Sequence, residues 1–261
     1  MMRFQPSRWI TLLLAVTTWW ACSGTKIKPT MTTEERLALA EKMFKDGDYL
    51  EAQTQLRIII LNAPGSTAVD RAQFLLAETH YKLKEYVQAA SEYEKLVRLY
   101  TRSEYLDEAQ YKLGLCYYDL SPRSDLDQKY TLLAIDEFQK FLEDFADSPL
   151  VPEVTGKLDA AREKLARKEY NTAMLYKRMG YFDSALISFD AVLNTYYDTR
   201  FAEEALYYKA EALLKLQRPL EAAASLRALL EKYPKSKLRE RAETMLKKVE
   251  PQASADGSVK P

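Results

Sequence analysis

Five times along the chain, a small residue is followed four positions later by a large apolar one, and three after that by another. The sets are Ala52/Leu56/Ile59, Ala89/Tyr93/Leu96, Ala134/Phe138/Phe141, Ala185/Phe189/Val192 and Ala222/Leu226/Leu229. Offsets of four and three put the members on one helical face, with the alanine where two helices can touch. The first two sets lie 37 residues apart, as do the last two, close to the tetratricopeptide period of roughly 34 residues. This pattern predicts an all-α fold: an α-solenoid of about five tetratricopeptide-like helix pairs, each burying its apolar face against its neighbour.

Other positions keep the same register. A second small residue stands twelve before the anchor alanine at Ala40, Ala77, Ala173 and Ala210. Turn residues lie between the paired helices around Gly47, Lys84, Gly180 and Gln217; glycine just past a helix end suits the left-handed cap. Prolines at Pro64, Pro149 and Pro234 stop the second helices. Two spacings are longer, 45 and 51 residues. The first excess falls in a polar loop at 119–128, inside repeat three. The second lengthens a helix over 152–179, with Leu158, Ala161, Leu165, Tyr170 and Ala173 on one side. A long helix is therefore expected between repeats 3 and 4. The expected organisation is repeats 1–3 at 33–148, the linking helix with repeats 4–5 at 149–248, and a disordered tail at 249–261.

The first 21 residues read as a lipoprotein signal peptide. Arg3 and Arg8 precede an uncharged run from Ile10 to Ala21, too short for a bilayer span of about 20 residues and suited to a secretory signal. The run ends in Ala21-Cys22, a small residue before the cysteine that a bacterial lipoprotein signal acylates. Cys22 is the expected lipidation site, and residues 22–32 form a polar tether. The alternative is an ordinary cleaved signal with Cys22 incidental. Buried acyl chains contribute about 0.8 kcal/mol per methylene, so a multiply acylated cysteine holds firmly. Ser23 follows the cysteine where an aspartate commonly retains lipoproteins at the inner membrane. The expected place is thus the outer membrane, anchored to its inner leaflet and facing the periplasm.

Composition narrows the function. Lys and Arg number 38 against 38 Asp and Glu, which removes the basic excess that nucleic-acid binding needs. His80 is the only histidine, so a catalytic triad elsewhere or a metal site of several histidines has no material. Seven glycines in 261 residues leave no phosphate-cradling loop. With Cys22 acylated, Cys116 is left without a bridging partner; its apolar neighbours suggest a buried structural thiol. No catalytic residue, metal or cofactor is expected.

Beyond the repeat, particular segments carry a family likeness. They are Arg123 to Gln128, Ala134 to Phe141 with Ser148-Pro149, Ala161 to Tyr170, and Tyr176 followed by Gly180 to Ala185. With the candidate lipidated cysteine, the loop in repeat three and the long helix, the chain resembles the BamD family, lipoproteins of the outer-membrane β-barrel assembly machine. It departs from that family at Tyr196-Tyr197, where Tyr-Pro is common, and lacks a basic residue near Ser188 and Phe189.

The resemblance implies a non-catalytic scaffold. Repeats 1–3 would receive unfolded outer-membrane protein segments in a groove formed mainly by the first helix of each pair. Counting along those helices places Leu37, Phe44, Phe74, Tyr81, Tyr111 and Tyr118 on that face; the alternative for several, Tyr111 especially, is the core. Repeats 4–5 would dock on the barrel-forming assembly protein through Arg178, Tyr181, Glu203, Tyr207 and Tyr208, with accessory lipoproteins as further partners. The competing function is a periplasmic adaptor recruiting cell-wall enzymes or proteases, which would not need the loop or the long helix.

Overall fold

The computed structural model describes residues 31–257. Eleven helices make up these residues, with no strand among them. They are α1 (Thr33–Asp46), α2 (Tyr49–Asn62), α3 (Val69–Lys82), α4 (Tyr86–Leu99), α5 (Leu106–Leu120), α6 (Lys129–Asp144), α7 (Val151–Met179), α8 (Phe182–Thr195), α9 (Phe201–Lys215), α10 (Pro219–Lys232) and α11 (Arg239–Gly257). Each packs on the next in chain order, and the chain is the expected α-solenoid of five helix pairs. The pairs are α1/α2, α3/α4, α5/α6, α7/α8 and α9/α10, with α11 packed on α10 as a closing helix.

All fifteen anchor residues are at most 2% exposed, and Ala40, Ala77, Ala173 and Ala210 are fully buried. The small side chains let paired helices approach, and the large ones fill the space between successive pairs. The core is accordingly a row of five clusters along the array rather than one centre. Repeat three uses Gly114, 37 residues beyond Ala77, in place of the alanine. A methyl added there would lie 2.5 Å from Phe138 Cε1, so only glycine admits this approach of α5 to α6. Buried glutamines add a second tie of the same period. Gln73 Nε2 donates to the Glu92 carbonyl at 2.9 Å and carboxylate at 2.8 Å. Gln110 Nε2 does the same to Glu137 at 3.2 and 2.8 Å.

The turn inside each regular pair is also periodic. Gly47, Lys84, Gly180 and Gln217 all adopt positive φ, at 88°, 61°, 82° and 58°. In each case the following amide donates back to a carbonyl five residues earlier, as Asp48 does to Met43 at 2.8 Å and Arg218 to Leu213 at 3.0 Å. This is a left-handed cap closing the first helix. Two of the four positions carry a side chain, which costs about 1–2 kcal/mol in this conformation.

The long helix is present and continuous. Its C-terminal part is the first helix of repeat four; its N-terminal part extends back over repeat three, where Val154 is fully buried. α7 contacts α6, α8 and α9. Arg162 donates to the Thr195 carbonyl and Asp198, both at 2.9 Å, Lys177 pairs with Glu211 at 2.6 Å, and Arg200 pairs with Glu163 at 2.7 Å.

Both boundaries of the array differ from expectation. Thr32, counted in the tether, caps α1: its hydroxyl accepts from the Glu35 amide at 3.2 Å, and the Glu35 carboxylate accepts from the Thr32 amide at 3.0 Å. The disordered tail drawn from residue 249 is corrected by α11, which runs to Gly257. Val249 is buried at 2% against the last cluster, and that contact carries the helix past the boundary. The signal peptide, Cys22 and most of the tether lie outside the described residues.

Candidate functional site

The first helices α1, α3 and α5 set a row of half-buried apolar and aromatic side chains. Leu37 and Phe44 pack on the first cluster, with Phe44 edge-on to Tyr49 at 5.5 Å between centroids. Phe74 stacks on Tyr105 at 5.0 Å and meets Tyr93 edge-on at 5.9 Å. Tyr81 lies edge-on to Tyr86 at 5.3 Å, and its hydroxyl donates to Asp119 on α5. Burial, helped by Asp119, pushes its phenol well above the usual range, so it remains a neutral donor. The Tyr118 ring lies beneath the ammonium groups of Lys157 and Lys164, at 5.3 and 5.1 Å. Five of the six predicted groove residues thus keep part of their surface open.

Tyr111 does not. It is 3% exposed, its ring packs near Phe138 and Phe141, and its hydroxyl donates to Glu153 on α7 at 2.6 Å. The expectation that it lines the groove is corrected: the N-terminal part of α7 lies over it. Sequence counting along α5 alone has no means of seeing that cover.

The predicted docking residues of repeats four and five divide similarly. Arg178 is exposed, and Tyr181 is 58% exposed. Glu203 and Tyr208 are half-buried; the Lys177 ammonium stands 4.8 Å from the Tyr208 ring. Tyr207 is buried at 4% under α11, with the Arg241 guanidinium 4.7 Å from its ring, so it is corrected from exposed candidate to covered residue. Sequence reasoning missed Leu175 and Met179, exposed at 47% and 56%. Both lie within one turn of Arg178 on α7, off the face that carries Ala173. An apolar residue outside the anchor register was the available signal. With Tyr181 they make three exposed apolar or aromatic residues close in sequence to Arg178 at the turn of repeat four.

The groups that could do chemistry are tied into the scaffold. His80 is 4% exposed; its Nδ1 lies 2.6 Å from the Glu85 carboxylate and its Nε2 3.3 Å from Arg57. Cys116 is fully buried, and burial pushes its thiol far above the ordinary range, which suppresses the nucleophilic thiolate. Among the described residues no group of three or more His, Cys, Asp or Glu is placed to hold a metal ion, and no helix is long and apolar enough to cross a membrane.

Residues 29–223 match the YfiO family, described as outer membrane lipoprotein. The chain belongs to this family. The YfiO match spans the helix pairs from α1 into α10. Two curated relatives are the outer membrane protein assembly factors BamD of Neisseria meningitidis serogroup B and of Neisseria gonorrhoeae. Each is 28% identical over 113 residues, which is 43% of this chain and 42% of the relative. The chain therefore spans less than half the length of the curated relatives it matches. Solved structures similar to this YfiO-family chain include the TPR2AB-domain:pHSP90 complex of yeast Sti1. That likeness has 17% identity, a TM-score of 0.46, and covers 87% of this chain and 86% of that one. The TPR domain of P58(IPK) has 20% identity, a TM-score of 0.43, and covers 86% and 58%. The fold assignment rests on the helix pairs themselves.

Proposed function

We propose that this chain is a non-catalytic periplasmic scaffold of the outer-membrane β-barrel assembly machinery. Repeats 1–3 receive extended segments of unfolded outer-membrane proteins along the row from Leu37 to Tyr118. Repeats 4–5 dock on the barrel-forming assembly protein through the surface around Arg178, with Leu175, Met179 and Tyr181 as its apolar part. Accessory lipoproteins are further partners. Acylated Cys22 holds the array at the inner leaflet of the outer membrane. The observation that carries this reading is the family match across nearly the whole repeat array. The relatives named as assembly factors support it over a shorter stretch.

The physical case is one of presentation. Half-buried rings on rigid helices offer contact area without ordering a loop, and aromatic anchors dominate many interfaces for that reason. Tyr181 and Met179 stand at a helix end where the left-handed cap at Gly180 fixes the turn.

The direct test is a gentle-detergent purification of the tagged, full-length protein from native envelopes, with partners identified by mass spectrometry. A stoichiometric outer-membrane β-barrel protein bearing periplasmic repeats is the expected partner. Recovery of cell-wall enzymes or a protease in its place overturns the assembly role in favour of an adaptor. For the anchor, Cys22→Ser is expected to abolish incorporation of a clickable palmitate analogue and to release the protein from the membrane fraction. Retention of both labels and membrane would exclude Cys22 as the acylated residue.

A further inference from the structure

One edge of the array ends two of its helices in exposed leucines. Consecutive helices pack on one another across short turns, which sets neighbours antiparallel. The starts of α1, α3 and α5 and the ends of α2 and α4 therefore share an edge. Arg71, at the start of α3, ties it together: it bonds Glu41 of α1 and donates at 2.7 Å to the hydroxyl of Tyr105, just before α5. Leu61, near the end of α2, is 77% exposed, and Leu99, the last residue of α4, is 63% exposed. Neither belongs to an anchor set or to the core cluster beside it. Leu99 is closely flanked by two cations. Arg98 meets only Glu94, at 4.0 Å, and among the described residues Arg102, which is exposed, has no ion-pair partner.

What covers this edge follows from the chain that leads into it. Thr32 caps α1 here, and ten residues separate Thr32 from Cys22. Fully extended, they span at most about 33–36 Å. An acylated Cys22 therefore keeps the edge within that distance of the lipid. A surface tethered so closely meets the bilayer at high effective concentration, so a weak contact suffices to seat it. The edge also carries Asp70, Glu94 and Glu104, which offset the arginines, so the leucines and not net charge supply the attraction. At repeat three the same edge turns acidic, with Glu104, Asp107, Asp144 and Asp147 around one turn. Carboxylates are costly to move out of water, which confines the seat to the first two repeats.

We propose that the edge formed by the α2–α3 and α4–α5 turns rests on the phospholipid bilayer, with Leu61 and Leu99 entering the boundary between headgroups and acyl chains. The proposal rests on the acyl anchor of the reading above and names the face of the array turned to the lipid. Arg98 and Arg102 lie where their apolar stems follow Leu99 inward while their guanidinium groups stay at the phosphates. The anchor supplies the hold, and the two leucines supply the orientation.

The test uses the full-length, acylated protein reconstituted into vesicles of phosphatidylethanolamine and phosphatidylglycerol, with part of the lipid brominated near the top of its acyl chains. A polarity-sensitive fluorophore is attached to one introduced cysteine at a time; buried Cys116, its thiolate suppressed, does not react. Labels at Leu61→Cys and at Leu99→Cys are expected to be quenched about twofold or more, as befits side chains seated about 5–10 Å into the interface. Labels at Leu50→Cys and Val87→Cys, exposed at the opposite ends of α2 and α4, are expected to stay unquenched. With the label at 61, the triple variant Leu99→Ser/Arg98→Gln/Arg102→Gln should lose most of the quenching while the protein still floats with the vesicles through its anchor. Quenching that survives the triple variant overturns the proposal. Quenching at 50 and 87 in place of 61 and 99 overturns it in favour of the opposite edge. A blue shift at 61 and 99 without quenching by bromine means that protein, a second copy or a partner, covers the edge, and overturns it as well. No change at any site overturns it and leaves the anchor standing. If the protein does not float with the vesicles at all, the anchor reading falls and this inference with it.

Discussion

A single missing methyl sets how closely repeat three closes. Gly114 faces Phe138, which is fully buried and flanked by Tyr111 and Tyr118, so the ring has nowhere to move. Gly114→Ala gains about 1 kcal/mol of helix propensity but overpacks the contact, which typically costs about 1–3 kcal/mol. A net loss of stability is expected in urea denaturation; a gain would mean that α5 shifts away without penalty. The opposite sign is expected at the turns. Gln217→Gly relieves a left-handed side chain and should raise stability by about 0.5–1 kcal/mol after the added unfolded-chain entropy. Lys84→Gly should act alike, and no gain at either site would place the cost of these turns elsewhere. Gly114 was legible from the 37-residue step beyond Ala77. It stayed hidden because its own second helix is displaced by the inserted loop, so counting back twelve from Ala134 arrives at Pro122.

Among the elements, α7 does what no regular repeat helix does: at 29 residues it joins the two groups of repeats without a break. The clamp of Arg162 on Asp198 ties it to the end of repeat four, and this hydrogen bond holds the Asp198 carboxyl below its usual value. A depressed carboxyl contributes stability above its unfolded pKa, about 3.9, and that contribution is lost as pH falls through the lower folded value. Arg162→Ala should therefore be less stable than the parent at neutral pH, with the difference closing below about pH 4. A difference that persists in acid would assign it to the Thr195 carbonyl contact and to packing on Tyr196 instead. The start and end of α7 were readable from the heptad-like run and from Gly180. The burial of Tyr111 beneath it was not, because sequence periodicity reports a helix's own face and not what a distant helix lays over it. Tyr207 under α11 is the same failure, and the buried Val249 explains why the tail was cut too early.

At the scale of the molecule, the array separates two surfaces. The repeat was legible almost residue by residue because its signal is local: each anchor set sits on one helix and recurs. The surfaces were legible only in part, since they consist of what packing leaves over. The apolar pair Leu175 and Met179 emerged only once the anchor face of α7 was known. Because the surfaces lie on different repeats, and interactions in such arrays are mostly between neighbours, they should be separable by mutation. Arg178→Glu with Met179→Asp is expected to abolish recovery of the barrel-forming partner while leaving affinity for an aromatic-rich peptide within about twofold, the near-additivity of distant sites. Loss of both functions together would mean that the two halves fold or act as one unit.

The unbroken 29-residue α7 also fixes a length. At 1.5 Å per residue it spans about 43 Å, so under the proposed function it is a ruler between the client's seat and the partner's. On that proposal, whatever the first three repeats grip is held at one reach and one bearing from the dock, and the reach does not depend on what is gripped. Spin labels placed at its two ends should report the same narrow distance distribution with and without peptide.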